Sequence, residues 1–257
     1  MTTMNLRRGL GLLALAGLAA TVVLGLWVTP PDRVMGNLVR LLYVHPSVAW
    51  VAYLAFGVTA LASVLYLWPR SRSLFWDRVA GASAEIGVVF CALTLATGSI
   101  WGRPTWGVWW TWDARLTSAA LLLALFVGYL ALRRVSVDPG ARARRSAVAA
   151  LVAFADVPIV HMSVIWWHTL HQSASVLTPD LGNPTVSPPM LWTLLLSFLS
   201  FTCLYGWLLL HRYRTAALED RYEEEGIGLA LAERWAEAAP GGPAAPEGGI
   251  PVGVGSR

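Results

Sequence analysis

Six apolar runs decide what this chain can become. They occupy residues 9–28, 46–68, 79–100, 116–132, 147–167 and 189–210, each close to the ~20 residues that a helix needs to cross the hydrocarbon of a bilayer. A backbone in hydrocarbon has no water to bond, so runs of this kind close their hydrogen bonds internally, as helices. Charged residues make up 13% of the 257-residue chain, about half the ~25% usual in soluble domains. The expectation is an all-α integral membrane protein with six transmembrane helices. Arg7 and Arg8 precede the first run as they would a signal peptide, but its twenty apolar residues favour a retained anchor.

The loops set the orientation. Fifteen of the nineteen arginines lie before the first run, between the second and third, between the fourth and fifth, or after the sixth; the opposite loops hold Arg33, Arg40, Arg103 and Arg115. The positive-inside rule places both termini in the cytoplasm. Residues 1–214 read as one six-helix membrane domain with three external loops, 29–45, 101–115 and 168–187. Residues 215–257 read as a cytoplasmic tail, helix-favouring over 218–238 and then too rich in Pro, Gly and Ala to form a core, hence disordered. No basic face suited to nucleic acid is present. Cys91 and Cys203 both sit in apolar runs, and no CxxC or CxxCH occurs, which argues against a dithiol relay or a covalently attached haem in this chain.

The second external loop reads WGRPTWGVWWTWDAR, Trp101 to Arg115. It holds Trp101, Trp106, Trp109, Trp110 and Trp112, with Arg103, Asp113 and Arg115 among them. Gly102, Pro104 and Gly107 disfavour a regular helix through it. Two readings stand. Tryptophan anchors proteins at the lipid interface; it also offers a flat platform for a planar ligand, with arginines to meet its carboxylates.

The histidines bear on the choice. His45 stands before the second run, and His161, His168 and His171 run from the fifth into the last external loop. A lone histidine at a helix end often just meets interfacial water, and His211, beside Arg212, is read so. His45 and the His168/His171 pair come from separate loops on the face that carries the tryptophans. Two neutral imidazoles from opposite sides are what a six-coordinate haem iron takes as axial ligands. Zinc is the alternative, but it prefers four clustered donors.

WGRPTWGVWWTWDARLTS resembles the "WWD" signature of the haem-handling cytochrome c assembly family, and together with IWWHTLHQS it is similar to the haem exporter C (CcmC) branch. The resemblance covers most of the chain through the sixth run. It implies a multi-pass protein of the bacterial inner membrane that presents haem b on the periplasmic face and delivers it to a periplasmic haem chaperone (CcmE). Further implied partners are a small single-helix subunit (CcmD), ABC transporter subunits (CcmA and CcmB) and membrane lipid. The resemblance implies a transfer protein and not an enzyme. Position by position, His45 and His171 become the axial ligands, with His168 ranked below. The aromatic shelf is Trp101, Trp106, Trp109, Trp110 and Trp112. Arg103, Arg115 or Arg40 would steady the propionates, and Asp113 would orient the loop through Arg115 or a backbone donor. The family pattern has a small apolar residue between the first histidine and its proline; here Pro46 follows His45 directly.

A haem ligase acting directly on apocytochrome c shares the loop but has a longer chain, and a cytochrome b subunit places histidine pairs deep in helices. His161 is the one deep histidine, read first as packing or as support for the ligands. Glu85 is read as reaching toward the cytoplasmic interface, and Asp156 as paired with an arginine or protonated.

Overall fold

The computed structural model describes residues 3–135, 138–171 and 186–238. They fold as helices, with no β-strand among them: α1 (Thr3–Val23), α2 (His45–Leu67), α3 (Leu74–Trp106), α4 (Ala114–Arg133), α5 (Pro139–Phe154), α6 (Asp156–Trp166) and α7 (Pro188–Ala238). A π-helical turn, Leu24–Val28, ends α1, and a 3-10 helix, Asn37–Tyr43, leads into α2. Six segments are long and apolar enough to span a membrane: Asn5–Val28, Asn37–Leu67, Leu74–Trp106, Ala114–Arg133, Pro139–Trp166 and Pro188–Ala232. Two compact units divide at Arg214. The first holds five of these segments whole and the sixth as far as Arg214. In the second, residues 215–238 are helical, and the disorder expected from residue 240 falls outside the described residues.

Three segments differ from the sequence reading. The third helix runs through Gly102 and Pro104 and stops only at Gly107, whose φ of 80° is the left-handed ending that glycine permits. Pro104 lies in the last turn, so its missing N–H frees only the Ile100 carbonyl. Beyond it the Thr105 hydroxyl donates to the Trp101 carbonyl at 2.8 Å, and the Gly107 N–H to that of Arg103 at 3.0 Å. The fifth span, by contrast, is interrupted at Ala155. Pro158 cannot donate to the Phe154 carbonyl, and the helix breaks one turn before it. The sixth span is longer than its apolar run, since α7 covers 51 residues.

The core sits among α2, α3, α4 and α5. Phe56 and Phe126 stack with centroids 3.7 Å apart at 14°. Gly87 makes this possible, because a Cβ there would lie 2.5 Å from Phe56 Cε1. Polar side chains tie the helices: Ser83 Oγ and Tyr205 OH are 2.8 Å apart, and Ser47 Oγ and Ser197 Oγ 2.8 Å. Near one end of the bundle, buried Asp77 takes two bonds from Arg133, at 2.5 and 3.0 Å, with Arg142 3.4 Å away. Glu85, expected only to reach for the interface, is instead held by both Nε and Nη2 of Arg212. The two guanidinium nitrogens meet the two carboxylate oxygens in the paired geometry that arginine offers a carboxylate. Asp156 is buried, and its Oδ2 meets no partner among the described residues.

Candidate functional site

At the opposite end of α3 from Asp77, α2, α3, α4 and α6 line an open cleft. His45 and His171 both line it, as does Arg115. Below them the walls are largely small and apolar: Ala49 and Ala52 from α2, Ala119 and Leu122 from α4. His45 to Ala52 spans seven helical residues, so the slot descends ~10 Å at 1.5 Å per residue. Small side chains one and two turns beneath the histidine are what leave it open.

His45 is the first residue of α2, and Pro46 occupies the first helical turn, where a missing N–H costs nothing. The direct His-Pro junction therefore starts the helix at the histidine itself. The imidazole leans on α3. Its Nδ1 lies 3.0 Å from Thr97 Oγ1, and the ring meets Trp101 edge-to-face at 5.8 Å. Gly98 faces the ring as well, and a Cβ there would approach His45 Cε1 to 3.1 Å.

His171 reaches the cleft from beyond α6. Trp106 packs against its ring at 4.8 Å and 67°. Burial, reinforced by the nearby Arg115 guanidinium and opposed by Asp113, pushes its pKa down to about 4. At neutral pH it is an uncharged imidazole. Its Nδ1 is buried with no hydrogen-bond partner among the described residues, and a buried polar atom left in this way marks a place where a partner belongs.

Arg115 binds the backbone of the facing helix, its Nη1 donating to the carbonyls of Val160 at 3.1 Å and His161 at 3.4 Å. Asp113 has two roles. One oxygen caps α4 by accepting the Leu116 N–H at 2.9 Å, and the other accepts the Leu170 N–H at 3.2 Å. It thus uses backbone donors, one of them adjacent to His171.

The predicted residues fall into three groups. His45, His171 and Arg115 line one cleft. Trp101, Trp106 and Asp113 support them from behind. Trp109 and Trp112 are 60% and 81% exposed, and Trp110 meets Trp112 edge-on at 5.5 Å while its Nε1 is buried without a partner among the described residues. The first two tryptophans therefore sit edge-on to the imidazoles, and none of the five lines the cleft. Arg103 is exposed and turns back to the Gly107 carbonyl, and Arg40 bonds Asn37 and the Leu26 carbonyl. His168 is exposed and lies outside the cleft. His161, expected to pack inside, has an exposed side chain on α6 whose ring meets Tyr53 edge-on at 6.2 Å. Its neighbour Val160 is buried, and one residue further along a helix the side chain points about 100° away.

Residues 172–185, most of the loop expected at 168–187, are outside the described part. Sequence reasoning missed Thr97, Gly98 and Tyr53. The signal for the first two was their helical spacing: Thr94, Thr97, Gly98 and Trp101 share one face of α3 below the tryptophan loop.

Chemically, the cleft offers two imidazole nitrogens, one guanidinium and an apolar slot. Among the described residues no group of three or more His, Cys, Asp or Glu comes together to hold a bare ion. The donor set fits a planar metal complex that brings its own equatorial ligands and carries acidic groups.

Comparison with known proteins gives the same direction. The profile of the family "Heme exporter protein C" matches residues 2–227. "Heme exporter protein C" of Haemophilus influenzae is 39% identical over 208 residues, 81% of this chain and 83% of that protein. The protein of the same name from Bradyrhizobium diazoefficiens is 40% identical over 210 residues, 79% of this chain and 78% of its own. A ccmC-like mitochondrial protein of Marchantia polymorpha, whose name places it in cytochrome c biosynthesis, is 35% identical over 188 residues, covering 73% and 78%.

Proposed function

The chain belongs to the heme exporter protein C family, and on that premise we propose that it holds haem b in the His45–His171 cleft and hands it to a periplasmic haem chaperone (CcmE) during c-type cytochrome maturation. The observation that carries this reading is the meeting of His45, His171 and Arg115 in one cleft, from segments far apart in sequence. Haem is the cargo, and the iron takes its axial ligands from His45 and His171. The apolar slot below them receives the ring edge that carries no charge, and Arg115 pairs with a propionate. Trp101 and Trp106 hold the two imidazoles from behind, which keeps the ligand pair in place when the cargo leaves.

The protein acts as a carrier. With both axial positions filled the iron takes no further ligand, so transfer requires both iron–histidine bonds to break, one as the chaperone engages the exposed edge and the other as the haem leaves. The excess of arginine in alternate loops supports termini in the cytoplasm and the cleft at the outer face of a bacterial inner membrane. The exported cargo implies a complex with the ABC transporter subunits (CcmA and CcmB) and the small single-helix subunit (CcmD).

The test is the visible spectrum of protein purified from haem-replete membranes, beside His45→Ala and His171→Ala. A low-spin bis-histidine spectrum that each substitution abolishes or converts to high spin is expected, together with transfer of haem to added chaperone. Haem bound equally well by both variants would overturn the assignment.

A further inference from the structure

Resting on the haem reading of the cleft, we propose that Thr97 is a positioning residue: its hydroxyl fixes the His45 tautomer so that Nδ1 carries the proton and Nε2 is left as the ligating atom.

The argument is a count of protons. The Thr97 hydroxyl has one. Its oxygen lies 2.7 Å from the Leu93 carbonyl and 3.2 Å from that of Thr94, and both can only accept. With its proton directed to Leu93, the Thr97 oxygen can only accept from His45 Nδ1, 3.0 Å away. The imidazole is then the Nδ1–H form, and Nε2 holds the free lone pair. Histidines that bind metals are commonly set by such a bond from the other ring nitrogen, which fixes the ring plane and raises the basicity of the ligating one.

The rest of the α3 turn acts on the same ring. Gly98 leaves room for Cε1, the carbon between the two nitrogens, and Trp101 closes over the ring edge-to-face. Three residues of one helix turn thus fix the proton, the position and the tilt of His45.

The two ligands are therefore unequal. His45 is held by a hydroxyl within the helical bundle, whereas His171 Nδ1 has no partner among the described residues. His45 is the more firmly held ligand, and His171 is the first to release the iron at hand-over.

The experiment uses full-length chain in liposomes with nitrogen-15 histidine. First, in the haem-free protein, solid-state NMR reads the His45 tautomer, assigned by difference from His45→Ala. The proposal expects Nδ1–H with bare Nε2, a mixture of tautomers in Thr97→Val, and recovery of the first form in Thr97→Ser. Bare Nδ1 in the unsubstituted protein overturns it. Second, haem b is titrated into each. Thr97→Val is expected to weaken binding by on the order of 10-fold, as loss of such a support does at metal sites, with Thr97→Ser near normal. His171→Ala is expected to retain haem in a high-spin form, and His45→Ala to lose it. Equal haem affinity in Thr97→Val overturns the positioning role. If His45→Ala leaves the haem spectrum unchanged while the tautomer signal is as expected, the haem assignment fails and the hydrogen bond stands.

Discussion

Asp113 and Leu170 are joined across 57 positions by a 3.2 Å bond from the Leu170 N–H to Asp113 Oδ2, while Oδ1 of the same carboxylate caps α4. One side chain thus starts a helix and pins the residue next to His171. Asp113→Ala is predicted to lower stability by about 1 kcal/mol through the lost cap and to reduce the low-spin haem fraction by freeing His171. Thermal unfolding and the visible spectrum check the two effects. A change in unfolding alone would leave Asp113 a cap and nothing more.

The charge state of His171 gives a pH dependence. Its pKa lies at about 4 in the folded protein, below the ~6.5 of a free imidazole. Between those values the unfolded chain binds a proton that the folded one refuses. Its contribution to stability is therefore full above about pH 6.5 and is lost as pH falls toward 4. An NMR titration of His171 in haem-free protein is expected to show a midpoint near that lower value, and a midpoint near 6.5 would contradict the burial described.

Arg115 and Arg103 are predicted to separate in function. Arg115 lines the cleft, and Arg103 folds back on the Gly107 carbonyl. Arg115→Leu should lower haem retention several-fold, and Arg103→Leu much less. Haem content after identical purification compares them, and equal losses would speak for an outer basic rim in place of a single pairing residue.

Gly98→Val is predicted to displace His45, since even a Cβ would lie 3.1 Å from Cε1. The expected result is a folded protein with a high-spin spectrum. Gly57→Ala serves as the control, because a Cβ there meets nothing within 4 Å.

Asp77→Ala is predicted to destabilise by about 3–5 kcal/mol, the usual cost of leaving a buried charge without its partner. Asp77 is only 3% exposed, and both arginines beside it are largely covered. A sharp fall in unfolding temperature is expected, and one of less than a few degrees would mean that water replaces the carboxylate.

The apolar runs were legible in the sequence because membranes impose length, and the histidines because they stand in separate loops beside the tryptophans. His45, His171 and Arg115 could be named from their loops. Their supports could not: Thr97 is one of several threonines on α3, and only the packing of α2 against α3 shows that its hydroxyl faces His45. The tryptophans were legible as a group but not individually. Pro104 and Gly102 suggested a loop, yet a backbone leaving the bilayer keeps its internal bonds for as long as it can, and the helix carries Trp101 and Trp106 outward to the two imidazoles. Pro158 did break its helix, and His161, next to buried Val160, stands exposed. A proline's effect depends on how many bonds remain beyond it.

Helix α3 is 33 residues long, which at 1.5 Å per residue is ~50 Å, well beyond the ~30 Å of hydrocarbon. Near one end it carries Asp77, clamped to Arg133; twenty residues on it carries Thr97 against His45. With no break between the two, one helix braces both the arginine clamp and His45, ~30 Å apart along its axis at 1.5 Å per residue.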